Sequence, residues 1–181
     1  MNFLSFTHPV LSCQEAKVLE SCLLVDEAAE WEAMKIAGQG IAKQLVQDYA
    51  ELRYPSECLR ILTLIGKGNN GGDALIACGQ LLADFPLARV DLILTMPSEE
   101  LRPLAARALK QLEGRVEVHQ VSEQSDVFEI TQMLSDAAGS EGFHICIDGL
   151  IGMAFSPPLS APFNTLIEAV NKFEAIDLRA S

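Results

Sequence analysis

Arg60-Ile61-Leu62-Thr63-Leu64-Ile65-Gly66-Lys67-Gly68-Asn69-Asn70-Gly71-Gly72-Asp73 is the stretch that decides the fold. Its first six residues are an almost wholly apolar run, short enough for a strand buried on both faces. Four glycines fall in the next seven residues, and they let the backbone take positive φ and approach a ligand closely. From Asp73 to Phe85 the pattern is helical. The helix N-terminus supplies free N–H groups and the positive end of a dipole. Asn69 and Asn70 add amide donors and acceptors, and Asp73 can cap the helix and also face a ligand. The plainer reading is a tight strand-to-helix turn, but such a turn needs neither four glycines nor paired asparagines.

Outward from this unit, strands and helices alternate. Before it, about Ser12 to Ala50 reads as helical. Ser12 with Glu15 has capping-box spacing. A second helix fits Asp26 to Tyr49, with Ala29, Met34, Ala37, Ile41, Leu45 and Val46 near helical period. Gly38 and Gly40 interrupt it, and close packing of another backbone would compensate for their low propensity. Tyr54-Pro55-Ser56 ends the helical opening. After the glycine turn, strands are expected at Val90–Thr95, Val116–Val121, Phe143–Asp148 and Phe173–Leu178. Helices are expected at Ser98–Leu112, Ser125–Ala138 and Ala161–Asn171. This alternation predicts a three-layer α-β-α, Rossmann-like, mostly parallel sheet with N-terminal helices, in one domain over residues 1–181.

Composition agrees with a globular chain: 181 residues, 49% hydrophobic and 21% charged. Lys plus Arg is 13 against 25 for Asp plus Glu, a net charge of -12. That balance disfavours nucleic acid and anionic membrane surfaces. It leaves room for a local anion site built from backbone N–H groups. Cys13, Cys22, Cys58, Cys78 and Cys146 form no C-x-x-C pair and read as small buried hydrophobes in a reducing cytoplasm. Met1 to Val10 lacks the features of a signal peptide, so a cytoplasmic location is expected.

Ligands of open α/β sheets bind outside the carboxyl ends of the strands. Asp148 ends an apolar strand there, before Gly149 to Pro158. It is either a cap for the next loop or a cation ligand and general base. Asp177 is expected at the equivalent place on the last strand. Asp73, Asp148 and Asp177 would then converge with two asparagines, an oxygen-rich set suited to a hard cation. His8, His119 and His144 are scattered, with His144 read as structural. G-x-S-x-G is absent. A P-loop fails because Gly72-Asp73 stands where Lys-Ser/Thr belongs. Gly66, Gly68 and Gly71 match G-x-G-x-x-G by spacing alone. Asp91, at about the right distance for a ribose-binding acid, falls within a strand rather than at its end.

Taken with its neighbours, Gly66-Lys67-Gly68-Asn69-Asn70-Gly71-Gly72-Asp73 resembles the signature loop of the NAD(P)HX epimerases, the YjeF N-terminal-like domain. Leu11 to Ala16 resembles the family's opening helix, and Trp31 to Gly38 its Leu-Met-Glu-x-Ala-Gly helix. Ile147-Asp148-Gly149-Leu150-Ile151-Gly152 resembles its Val-Asp-Ala-Leu-Leu-Gly. Phe155 to Leu159 resembles the following loop, and Ala175-Ile176-Asp177-Leu178 the strand before its Pro-Ser-Gly. The resemblance implies an isomerase that interconverts R and S epimers of hydrated NADH and NADPH, in nicotinamide-cofactor repair. It implies that Asn69, Asn70, Gly71, Gly72, Asp73, Gly152, Met153, Ala154, Phe155, Ser156, Pro157, Pro158 and Asp177 bind substrate. It further implies potassium (K+) on Asn70 and Asp148, with Asp148 as the catalytic acid/base. A dehydratase, separate or fused, would be the partner, and a homodimer is expected.

The chain also departs from the family. Ala74 and Ala154 replace glycines, and Lys35 replaces a glutamate. The potassium-binding serine falls on Ala180. The chain stops after Asp177-Leu178-Arg179-Ala180-Ser181, where the family continues for several elements. These departures support the alternative: the same fold kept as a nucleotide-ligand-binding or dimerisation module without turnover.

Overall fold

A computed structural model describes residues 11–51, 58–152, 155, 157–174 and 176–180. In chain order it contains α1 (Cys13–Leu23), α2 (Glu27–Glu51), β1 (Arg60–Ile65), α3 (Asn69–Asp84) and β2 (Arg89–Leu94). A 3-10 turn (Ser98–Glu100), α4 (Pro103–Gln111), β3 (Glu117–Gln120), α5 (Val127–Ala138), β4 (Phe143–Gly149), α6 (Phe163–Lys172) and β5 (Ile176–Ala180) follow. Contacts divide the chain into two compact units, residues 1–33 and 34–181.

The first unit contains α1 and the opening of α2. The capping box forms as expected: Glu15 N–H donates to Ser12 Oγ at 3.3 Å, and Ser12 N–H donates to Glu15 Oε2 at 2.8 Å. These bonds from Ser12 hold the Glu15 carboxyl below its ordinary pKa. Asp26 caps α2 by accepting from Ala29 N–H at 2.8 Å. Cys13 and Cys22 are exposed, which corrects the expectation of buried thiols; Cys78 and Cys146 meet it.

In the second unit, five strands lie in the order β3-β2-β1-β4-β5, and every pairing is parallel. The order reverses between β1 and β4, so the topological switch lies at their carboxyl ends. Strand residues alternate between two helical layers. Leu62, Leu64, Ile93 and Cys146 pack with Ile130 and Leu134 of α5 and with Leu166 and Val170 of α6. On the other face Thr63 meets Cys78 of α3, Oγ1 to Sγ 3.1 Å. Burial pushes the Cys78 thiol up to about 12, so it stays protonated. His144 is structural, its Nδ1 accepting from Arg60 N–H at 3.1 Å.

Some expected boundaries move, for identifiable reasons. The single helix Ser98–Leu112 divides at Leu101-Arg102. Pro103 disfavours helical geometry in the residue before it, and Arg102 is extended at φ -62 and ψ 152. Helix α5 starts at Val127 because Asp126 and Glu129 form a second capping box. Gly38 has its expected reason: a Cβ there would lie 2.6 Å from the Asp73 carbonyl oxygen and 2.5 Å from Ile76 Cβ. Gly40 does not, since nothing lies within 4 Å of its Cβ position. The helix end at Tyr54-Pro55-Ser56 falls outside the described residues. Among the described residues, no helix is long and apolar enough to cross a membrane.

Candidate functional site at the switch point

Gly66, Gly71 and Gly72 serve close packing rather than positive φ, whereas Gly68 has open space at its Cβ position. The positive-φ glycines are Gly114, Gly139 and Gly142, all elsewhere. A Cβ on Gly66 would overlap the Leu150 carbonyl oxygen, and one on Gly71 the Gly66 carbonyl oxygen. A Cβ on Gly72 would lie 2.6 Å from the Met34 sulfur. The turn is therefore pressed between the loop after β4 and helix α2. It is tied there by Gly66 N–H donating to Gly149 O at 3.1 Å. Thr95, buried at the end of β2, fixes the same corner: its N–H and Oγ1 both donate to Ile65 O at 3.2 Å. Sequence reading assigned Thr95 no role, although a polar residue closing an apolar strand was the available signal.

Helix α3 begins at Asn69, four residues before the expected start, and Gly68 is its N-cap. Asp73 therefore caps nothing and lies inside the second turn. The first intrahelical bond runs from Gly72 N–H to Gly68 O at 3.2 Å. The N–H groups of Asn69, Asn70 and Gly71 are left at the open helix end, where an anion is favoured. Asp73 is partly buried, and desolvation raises its carboxyl pKa to about 6.

Asp148 is the penultimate residue of β4, in register with Leu64 of β1. It is exposed, and its Oδ1 accepts from Leu150 N–H at 2.9 Å. It thus caps its own loop in an Asx-turn and still presents carboxylate to solvent. Asn70 joins the two loops, its Nδ2 donating to Ile151 O at 2.6 Å. Its Oδ1 faces Gly152, where a Cβ would lie 3.2 Å away. The two side chains assigned to potassium thus flank one seam, and both offer the oxygen atoms a hard cation takes. Among the described residues, no group of three or more His, Cys, Asp or Glu forms a metal site.

The structure brings Asn69, Asn70, Gly71, Asp148 and Gly152 to the carboxyl ends of β1 and β4. Gly72 and Asp73 follow in the first turns of α3. Phe155, Pro157 and Pro158 are exposed beyond Gly152. Met153, Ala154 and Ser156 lie outside the described residues. Asp177 is not at a strand end: it is second in β5, whose Ile176 and Leu178 are in register with Phe143 and Ile145. The expected strand ended too early, and the residue nearest the Asp148 register is Ala180, opposite Ile147. Asp91 is buried in mid-strand and bonded to His119, Oδ1 to Nε2 3.0 Å, so it does not occupy a ribose-binding position.

Ala74 and Gly149 share one tight contact. A Cβ on Gly149 would lie 2.7 Å from Ala74 Cβ, so the contact has room for one methyl. Here helix α3 carries that methyl, on Ala74.

Fold and site together define a doubly wound α/β domain whose ligand edge is an asparagine–glycine helix start clasped to an acidic strand-end loop. The family model described as YjeF-related protein N-terminus matches residues 31–178, and the chain belongs to that family. It is 31% identical over 144 residues to an NAD(P)H-hydrate epimerase of Candida albicans, covering 74% of this chain and 51% of the relative. It is 28% identical to an NAD(P)H-hydrate epimerase of Rhodopirellula baltica, covering 93% and 62%. A bifunctional NAD(P)H-hydrate repair enzyme Nnr of Salinibacter ruber is 30% identical, covering 76% and 25%. The chain thus spans about half the length of the Candida relative and a quarter of the Salinibacter one. The crystal structure of yeast YNL200c superposes with a TM-score of 0.71 at 21% identity, covering 92% of this chain and 66% of the other, and shares the fold.

Proposed function

We propose that the chain is an NAD(P)H-hydrate epimerase acting on the hydrated, damaged forms of NADH and NADPH. The observation that carries this reading is the Asn70–Ile151 clasp, which joins the open N-terminus of α3 to the Asp148 loop at the topological switch. In this reading the amides of Asn69 to Gly71 hold the substrate's phosphates, and Gly152 to Pro158 line the remainder. Asp148 delivers a proton to the departing ring hydroxyl. The C–O bond breaks with the electron pair of the ring nitrogen behind it, and water leaves. Water then adds to the opposite face and returns the proton to Asp148, so the step balances without redox change. Potassium, held by Asn70 and Asp148, would supply positive charge beside the phosphates. A dehydratase partner, separate or fused, a cytoplasmic location and a homodimer complete the proposal.

One observation favours the second reading, a nucleotide-ligand-binding or dimerisation module without turnover. Ala180, opposite Ile147 in the register, stands for the family's potassium-binding serine and has no side-chain oxygen. The two readings are separated by supplying mixed NADHX epimers to an S-specific dehydratase, with and without this chain. Faster loss of the R epimer supports the epimerase. An unchanged rate supports the binding module.

A further inference from the structure

Three arginines meet at the amino edge of the sheet, opposite the candidate site. Arg60 and Arg89 open β1 and β2 and are in register. Glu117 is in register with Asp91, so Arg115, just before it in the chain, comes to the same edge. Like charges side by side repel, and the carboxylates nearby are engaged elsewhere. Asp91 is bonded to His119. Asp136 Oδ1 accepts from Gln132 Nε2 at 3.0 Å, and Glu129 closes the capping box of α5. Among the described residues the ion pair of this set is Arg60 Nη1 with Glu141 Oε2, at 3.9 Å. Helix ends take part of the charge: Arg60 Nη2 donates to Ala137 O at 2.5 Å, and Arg115 Nη2 to Leu82 O at 3.0 Å. A guanidinium has five N–H donors, so most remain unused. Arg60 is 9% exposed, and its buried Nε has no hydrogen-bond partner. Arg89 is exposed, and its guanidinium makes no bond among the described residues.

Side chains alternate along a strand. Leu62 and Ile93 pack with α5, so Arg60, Arg89 and Asp91 lie on the face of that helix. Val121 belongs to the same core, which puts Glu117 and His119 on that face too. A groove of about 1060 Å³ lies between α5 and this face, lined by Arg60, Arg89, Arg115, Glu117, His119 and Phe128 among others. Phe128, 76% exposed, is near the start of α5, and Arg60 is bonded near its end at Ala137. The aromatic and cationic groups therefore occupy opposite ends. We infer that this groove binds a nucleoside monophosphate, with its phosphate on the arginines, its sugar hydroxyls on Glu117 and its base against Phe128. Guanidinium forks match phosphate oxygens. Glu117 is exposed and makes no bond among the described residues, so its carboxylate is open to accept from hydroxyls. Aromatic side chains stack on bases of any sequence. From Phe128 to Ala137 the helix rises about 13 Å, a span that an extended nucleoside monophosphate bridges. This inference is independent of the epimerase reading.

Titration of the nitrogen-labelled chain with AMP, followed by amide NMR, tests it, with inorganic phosphate and adenosine as separate arms. Saturable shifts are expected at the Arg89, Glu117, His119 and Phe128 amides at millimolar AMP or below. Either fragment alone should bind more weakly. Arg89→Glu should weaken AMP at these amides about tenfold or more, and Phe128→Ala should weaken it severalfold. Lys17→Glu, an equal charge reversal on exposed α1, should leave it unchanged. Circular dichroism checks that the variants fold. Absence of saturable shifts overturns the inference, as do shifts confined to Asn69–Asp73, where AMP would be reading the candidate site alone. So does binding that survives both Arg89→Glu and Phe128→Ala, or inorganic phosphate bound as tightly as AMP.

Discussion

Ala74 Cβ occupies the space that a Cβ on Gly149 would need, the two being 2.7 Å apart if both were present. Helix α3 and strand β4 meet there, directly behind the candidate site. The contact is expected to behave as a unit. Gly149→Ala alone should destabilise by about 1–3 kcal/mol through overpacking. Ala74→Gly alone should cost about 1 kcal/mol in helix propensity. The double variant should recover part of the sum, with a coupling of about 1 kcal/mol. Recovery stays partial because the new Cβ also meets the Asn70 and Leu64 carbonyl oxygens at 3.0 Å. Urea unfolding of the four proteins checks this.

Asn70 is exposed, yet its amide holds the two site loops together. Asn70→Ala should therefore separate stability from function. Loss of one exposed hydrogen bond costs about 1 kcal/mol or less, a shift of a few degrees in Tm at most. Epimerase activity should fall roughly 100-fold as the loops lose their register. A thermal melt and a rate on the same sample are sufficient.

Two glycines in α2 should respond with opposite signs. Gly38→Ala drives a methyl into Ile76 and the Asp73 carbonyl and should destabilise by about 1–3 kcal/mol. Gly40→Ala meets open space and should stabilise by about 0.5–1 kcal/mol. Denaturant midpoints distinguish them.

Asp73 gives a pH signature. Its pKa rises from 3.8 to about 6 through desolvation, so the folded chain holds this proton more tightly than the unfolded one. Its burial penalty is absent below pH 3.8, grows as pH rises towards 6, and is complete above that. Asp73→Asn should accordingly stabilise the chain at pH 7.5, by roughly 1 kcal/mol after solvent screening. The advantage should vanish below the unfolded value. Melting both proteins across that range measures the difference.

Much of the fold was legible because its signals are local. Arg60–Ile65 reads as a strand from composition, and Ser12 with Glu15 as a helix start from spacing. Elements fixed by tertiary contact were less so. The sequence shows four glycines after β1, but not that Leu150 presses on Gly66 and Met34 on Gly72, so the helix start at Asn69 reads as a loop. Asp177 reads as a strand-end residue if the last strand stops at Leu178, but β5 runs on to Ala180, and nothing local sets that register. Asn70 and Asp148 stand out in the sequence by their positions, in the glycine turn and at the end of an apolar strand. Their joining through Ile151 required the fold.

Epimerisation by this chain is measured on a single purified epimer of hydrated NADH, with its conversion followed by chromatography at neutral pH. The native chain should bring it to the mixed equilibrium at least ~100-fold faster than buffer, and Asp148→Asn should lose that acceleration. Conversion at the buffer rate with folded native chain would rule out the epimerase.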